Sequence, residues 1–285
     1  MHPPSHVDSP RVRFCTTRDG ARVAYEALGS GPPILKSANW MSHLELERQS
    51  PLWRHWLEML SDGRTLYRFD GRGYGMSDRQ PPELSFEAMV TDLEAVADAA
   101  GLDRFPILGF CHGGPLAIAY AARHPERVSC LVLCGSYMLG RARRDPSPRD
   151  AAERELLLKM IEIGWGQANP AYRQVFASTA VPGATAEVFR AFCETQRASA
   201  TPEEAQVLTR LFWDIDVQAE AARVRCPTLV LQARNDGGGA VRTRAPARRR
   251  DRGGAARRAG LRQPRPARHR ARLATVLPGG AGLSG

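Results

Sequence analysis

Apolar positions change period along the chain, and the changes mark the elements. Val12–Thr16 and Val23–Ala27 alternate around Asp19-Gly20, which predicts a hairpin of two short strands. Ile34–Ser37 predicts a third strand after the break at Gly29-Ser-Gly-Pro-Pro33. Pro51–Leu60 places Trp53, Trp56 and Leu60 on neighbouring turns of a helix, and Thr65–Phe69 predicts the next strand. Ser85 can cap a helix whose apolar stripe is Phe86, Met89, Val90, Leu93, Val96, Ala97 and Ala100, with Gly101 as its stop. An apolar run from Phe105 then ends in Gly109-Phe-Cys111-His-Gly113-Gly114, and helical spacing begins with Leu116, Ile118, Ala119 and Ala122. Val128–Cys134 and Thr228–Ala233 are further apolar strands.

Strands that alternate with helices imply a mainly parallel sheet covered on both faces, with its ligand site at the carboxyl ends of the strands. Residues 141–221 break this rhythm. They are helical, rich in Arg and Glu and punctuated by proline, and Thr201-Pro-Glu-Glu204 carries the signature of a capped helix start. This block reads as a helical cap inserted after the sixth strand. The expected organisation is therefore a disordered terminus (1–10), the first part of an α/β core (11–140), the cap (141–221), and the last recognisable strand with its following loop (222–236).

Composition changes this picture only beyond residue 236. The net charge of +10 resides in the segment 237–285, which holds thirteen Arg against the single acid Asp251, so the rest of the chain is slightly acidic. That tail has neither helical nor strand period and reads as a disordered basic segment. It has no aromatic side chains for base stacking, so specific nucleic-acid binding is not expected. No apolar stretch is long enough to span a bilayer, and the N-terminus has no signal-peptide core, so a cytoplasmic protein is the expectation. The six Cys (15, 111, 130, 134, 193 and 226) lack paired-ligand spacing and read as reduced thiols rather than a disulfide framework or metal site. No metal or cofactor is expected, and a small molecule is the expected substrate or ligand. The pattern sets no oligomeric state.

The chemistry concentrates at Gly109-Phe-Cys111-His-Gly113. Strand, sharp turn and helix are the context in which Gly-x-Ser-x-Gly presents a nucleophile. Here the central residue is Cys, and a thiol at a helix N-terminus can be activated. By itself the motif describes a buried Cys in a glycine-rich turn equally well. Asp70-x-Arg72-Gly-x-Gly75-x-Ser77-Asp78 follows a strand upstream, and Gly31-Pro-Pro33 with its strand precedes the loop Ala38–His43.

In this order, from about Val12 to Asp236, these features resemble the α/β-hydrolase superfamily. Lys36-Ser-Ala-Asn39-Trp40-Met-Ser-His43 and Ser50-Pro-Leu-Trp53-Arg-His-Trp56 resemble, more narrowly, a bacterial subgroup whose members occur alone or fused to LuxR-type regulators and nucleotide cyclases. The resemblance implies that Cys111 attacks an acyl carbonyl, as in members similar to dienelactone hydrolase. It implies that the backbone N–H of His112, with that of Asn39 or Trp40, holds the oxyanion, and that Asp236 is the triad acid. The His112 side chain is read as a bystander, and Arg72 and Asp78 as fixing their loop. The expected function is hydrolysis of an ester, thioester or lactone through an acyl-enzyme. The alternative is a ligand-sensing domain without turnover.

The resemblance requires a His tens of residues beyond the acid, and only His269 lies there, inside the Arg-rich tail. A displaced reading frame accounts for this. Back-translated with GC-rich codons and read one nucleotide later from Gly237, the tail can spell Val-Pro-Phe-Glu across 239–242. Across 262–273 it can spell Ala-Asn-His-Val-Leu-Leu-Asp-Thr-Glu-Pro-Ala-Trp, and across 274–284 a closing amphipathic helix. Made as written, the chain is expected to lack its general base, its last strand and its closing helix.

Overall fold

The computed structural model describes residues 11–232, apart from 145–146, 166, 168–170 and 182. Seven strands form one sheet in the order β1-β2-β4-β3-β5-β6-β7. β1 (Arg13–Thr16) and β2 (Arg22–Gly29) form the expected hairpin, and β2 also runs antiparallel to β4 (Thr65–Phe69). β3 (Pro33–Lys36), β4, β5 (Phe105–Phe110), β6 (Val128–Cys134) and β7 (Thr228–Leu231) are mutually parallel.

Period-two alternation divides each central strand between two cores. Ile107, Leu131 and Leu133 point into a large cluster packed by α3 (Phe86–Ala99) and α4 (Gly113–Arg123). Leu108, Cys130 and Val132 point to the opposite face, where α2 (Arg54–Ser61) contributes Leu57 and Leu60. Trp53 and Trp56 pack edge-on against Phe110 there, at 5.6 and 5.1 Å between centroids. The predicted helix at Pro51–Leu60 begins three residues later than expected, because Pro51–Trp53 form a turn. A short helix, α1 (Leu44–Gln49), follows the Ala38–His43 loop; its single turn and a half was too short to leave a period in the sequence.

Capping follows the sequence. Ser85 Oγ accepts from the Ala88 N–H (3.1 Å), and α3 ends before Gly101, whose φ of +64° closes the turn. Between β6 and β7 the described chain is helical: α5 (Arg141–Arg144), α6 (Pro148–Gly164), α7 (Ala171–Ala180), α8 (Ala186–Ser199), α9 (Pro202–Trp213) and α10 (Gln218–Arg223). Thr201 and Glu204 form the full capping box at the start of α9. The expected strand at Thr228–Ala233 is seen as Thr228–Leu231. It is the outermost of the described strands on its side, and Val230 is 55% exposed. Asp236, His269 and the Arg-rich tail lie outside the described residues.

Candidate active site

Cys111 sits at the turn between β5 and α4 with φ of +46°, a left-handed conformation that non-glycine residues rarely adopt. The turn is held by the Cys111 N–H, which donates to the Cys134 carbonyl on β6 (3.0 Å), and by the Gly114 N–H, which donates to the Cys111 carbonyl (3.1 Å). The glycines around it are needed for space. A Cβ on Gly109 would lie 2.7 Å from the Gly114 Cα, and one on Gly113 would lie 2.5 Å from Ser37 Oγ. The strained backbone leaves Cys111 exposed at the carboxyl end of β5, while Phe110 and Gly113 are buried.

The loop Ser37–His43 faces this turn and is tied on every side. Ser37 Oγ donates to the Gly113 carbonyl (2.5 Å), which joins the loop to the first turn of α4. Lys36 Nζ donates to Asn39 Oδ1. Ser42 Oγ donates to the Asp70 carboxylate (2.7 Å), which also accepts the N–H groups of Leu44 (3.1 Å) and Met76 (3.0 Å). Within the loop Met41 takes φ of +37° while almost wholly buried, a second strained residue beside the first. The backbone N–H groups of Asn39 and His112 donate to no acceptor among the described residues.

The Asp70–Asp78 segment is structural, as the sequence suggested. Buried Arg72 pairs with Asp92 (2.8 Å) and with Asp19 (2.6 Å), and donates to the Glu83 carbonyl (2.9 Å). Its guanidinium holds the Asp19 carboxyl down at about 2. Asp78 accepts the Arg22 N–H (2.7 Å). The cap reaches the same loops. The Gly75 N–H donates to the Ser199 carbonyl (2.9 Å), Ser199 Oγ donates to the Ser42 carbonyl (3.1 Å), and Arg79 pairs with Glu204. Trp165 is buried core of the cap and donates Nε1–H to the Ala200 carbonyl (2.9 Å).

The His112 side chain, expected to be a bystander, touches the thiol. Its Nδ1 lies 2.9 Å from Cys111 Sγ. Its ring is packed by Phe212, Trp40 and Tyr137 at 4.5, 5.2 and 5.5 Å between centroids. Burial, aided by the nearby Arg144 cation, pushes its pKa down to about 3, so the ring is neutral at ordinary pH. A ring so weakly basic stays close to the thiol without holding its proton. The same burial pushes the Tyr137 phenol well above its usual range. Phe212 and Tyr137 had no signal in the sequence, because their place here depends on how α9 and the segment after β6 pack around the turn.

A second group missed by the sequence reading lies beneath the loop. Arg68 on β4 donates to Glu26 on β2 (2.7 Å) and to Glu47 on α1 (2.7 Å), and all three are buried. Lys36 on β3 is buried beside them. The signal was present: single charges at 26, 36 and 68 interrupt otherwise apolar strands. Among the described residues no cluster of His, Cys, Asp or Glu could hold a metal ion, and no described helix is long and apolar enough to cross a membrane.

The order of the sheet coincides with the fold that comparison shows. The family model described as alpha/beta hydrolase fold matches residues 46–160. The chain has the α/β-hydrolase fold. It is 29% identical to a putative carbamate hydrolase, RutD, of Azorhizobium caulinodans, over 76% of this chain and 78% of the relative. It is 25% identical to the pimeloyl-[acyl-carrier protein] methyl ester esterase of Nitrosomonas europaea, over 76% and 82%. Among solved structures, an esterase from Exiguobacterium antarcticum superposes with a TM-score of 0.63 at 22% identity, covering 78% of this chain and 81% of that one. These relatives carry the names of hydrolases and esterases.

Proposed function

We propose that the protein cleaves an acyl bond (ester, thioester or lactone) with Cys111 as nucleophile. The observation that carries this is the φ of +46° at Cys111, strain retained at a strand-to-helix turn that exposes the thiol. In the first step Sγ adds to the substrate carbonyl carbon and the C=O electron pair moves onto oxygen. That oxyanion meets the unengaged N–H groups of His112 and of Asn39, with Trp40 beside them. The tetrahedral adduct then collapses, the bond to the leaving oxygen or sulfur breaks, and the leaving group takes the thiol proton. Water completes the cycle by attacking the thioester, which restores the thiol.

Asp236, just beyond β7, is assigned as the acid that orients a catalytic His. That His is assigned to the displaced frame of the tail rather than to His269. Sequencing the gene across codons 234–245 tests the frame. Esterase activity is tested by release of p-nitrophenol from short-chain p-nitrophenyl esters. Turnover that disappears in Cys111→Ala supports the proposal, and turnover unchanged in that variant overturns it.

One observation favours a second reading. The group in contact with the thiol is a His whose pKa is about 3, which cannot serve as the general base. A chain made with its Arg-rich tail would then bind a ligand in the cleft under the cap without turning it over. Ligand-dependent thermal stabilisation with no product formed distinguishes this case.

A further inference from the structure

Lys36 is one of two lysines in the chain, the other being Lys159 on the surface of α6. It stands at the carboxyl end of β3 and is 2% exposed. Its backbone is fixed in the sheet, paired with Arg68 on β4 and Leu108 on β5. Its Nζ donates to Asn39 Oδ1 and lies 5.2 Å from the centre of the Trp53 ring. No carboxylate among the described residues forms an ion pair with it, and burial pushes its pKa down against the opposing pull of Glu47. Desolvating an ammonium costs several kcal/mol, and an apolar side chain at this strand end would fill the space without that cost. What the ammonium does here is hold one amide oxygen.

That amide belongs to Asn39, whose backbone N–H faces the nucleophile turn in the proposed reaction. We infer that Lys36 is the positioning residue of the oxyanion site: through Asn39 Oδ1 it fixes the peptide that binds the developing negative charge. The neighbouring bond from Ser37 Oγ to the Gly113 carbonyl anchors the loop on the helix side, and Lys36 anchors it on the sheet side. Met41, held at φ +37° two residues on, is the strain that these ties restrain. This inference rests on the proposed reaction, because only an oxyanion needs that N–H.

The experiment compares two reagents on the full chain. p-Nitrophenyl acetate acylates the thiol through an oxyanion; iodoacetamide alkylates the same thiol by displacement of iodide, without one. In Lys36→Met and in Asn39→Leu the acylation burst should slow about 10- to 100-fold, since a donor lost or misplaced costs on that order. Alkylation of Cys111 should keep its rate in both. The double variant should be no slower than either single one, because both break the same tether. Wild-type acylation in both Lys36→Met and Asn39→Leu overturns the inference, and so does a parallel fall in alkylation, which would place the effect on the thiol or the fold.

The two lysines allow a further readout that does not depend on chemistry. With lysine labelled at Cε, Asn39→Leu should shift the Lys36 signal and leave that of Lys159 in place. If the wild-type protein shows no burst, the proposed reaction fails; an unmoved Lys36 signal then rejects the tether as well, and a shifted one retains it as a structural bond.

Discussion

Cys111 Sγ and His112 Nδ1 are adjacent in sequence and 2.9 Å apart, yet the imidazole is neutral, with a pKa near 3. Three aromatic rings and the Arg144 cation disfavour the imidazolium, so this ring does not take up a proton from the thiol at ordinary pH. The arrangement leads to several measurable consequences.

The first concerns acid stability. The unfolded His titrates near 6.5 and the folded one near 3, so between these values the unfolded chain binds the extra proton. Stability from this group is full above about pH 6.5 and is lost progressively as the pH falls towards 3. His112→Gln should flatten that part of the stability-against-pH curve measured by denaturant unfolding, while Cys111 alkylation persists.

The glycine at 113 should tolerate no side chain. In Gly113→Ala the new Cβ would lie 2.5 Å from Ser37 Oγ and 2.8 Å from the Ala38 carbonyl, so the loop carrying Asn39 must move. Overpacking of this kind costs about 1–3 kcal/mol. The acylation rate should fall by about tenfold or more, and thermal melting with a stopped-flow burst separates the two effects.

Breaking the buried charge group should destabilise more than removing it. Arg68→Met leaves Glu26 and Glu47 buried without their shared partner, at a cost of about 3–5 kcal/mol. The triple replacement of Glu26, Glu47 and Arg68 by apolar residues of similar volume should recover most of that loss. Urea midpoints of the single and triple variants test this.

The helices between β6 and β7 meet the core loops at Ser199 and at the start of α9. Thr201→Ala removes the side-chain half of the capping box and should cost about 1 kcal/mol. Arg79→Ala frees Glu204 from the core loop, so it should raise KM for p-nitrophenyl esters more than it lowers kcat. Equal loss in both would place the effect in the fold instead.

The sequence by itself determined the order of the strands along the chain, the mainly parallel sheet and the glycine-rich turn at Cys111. These follow from local rules: period-two runs for strands, period-3.6 stripes with Ser85 and Thr201 as caps, and glycines where backbones must meet. The loop-fixing roles of Arg72 and Asp78 were legible for the same reason, since both stand in one contiguous motif. Tertiary structure alone decided what surrounds the thiol. Phe212 and Tyr137 reach His112 from elements far apart in the chain, and the neutrality of that ring is a property of desolvation, which no spacing encodes. Likewise Glu26, Arg68 and Glu47 come from two strands and a short helix, and only sheet order makes them neighbours. A local pattern specifies which backbone bonds a segment can make; which charges and rings lose their water depends on every other segment packed against them.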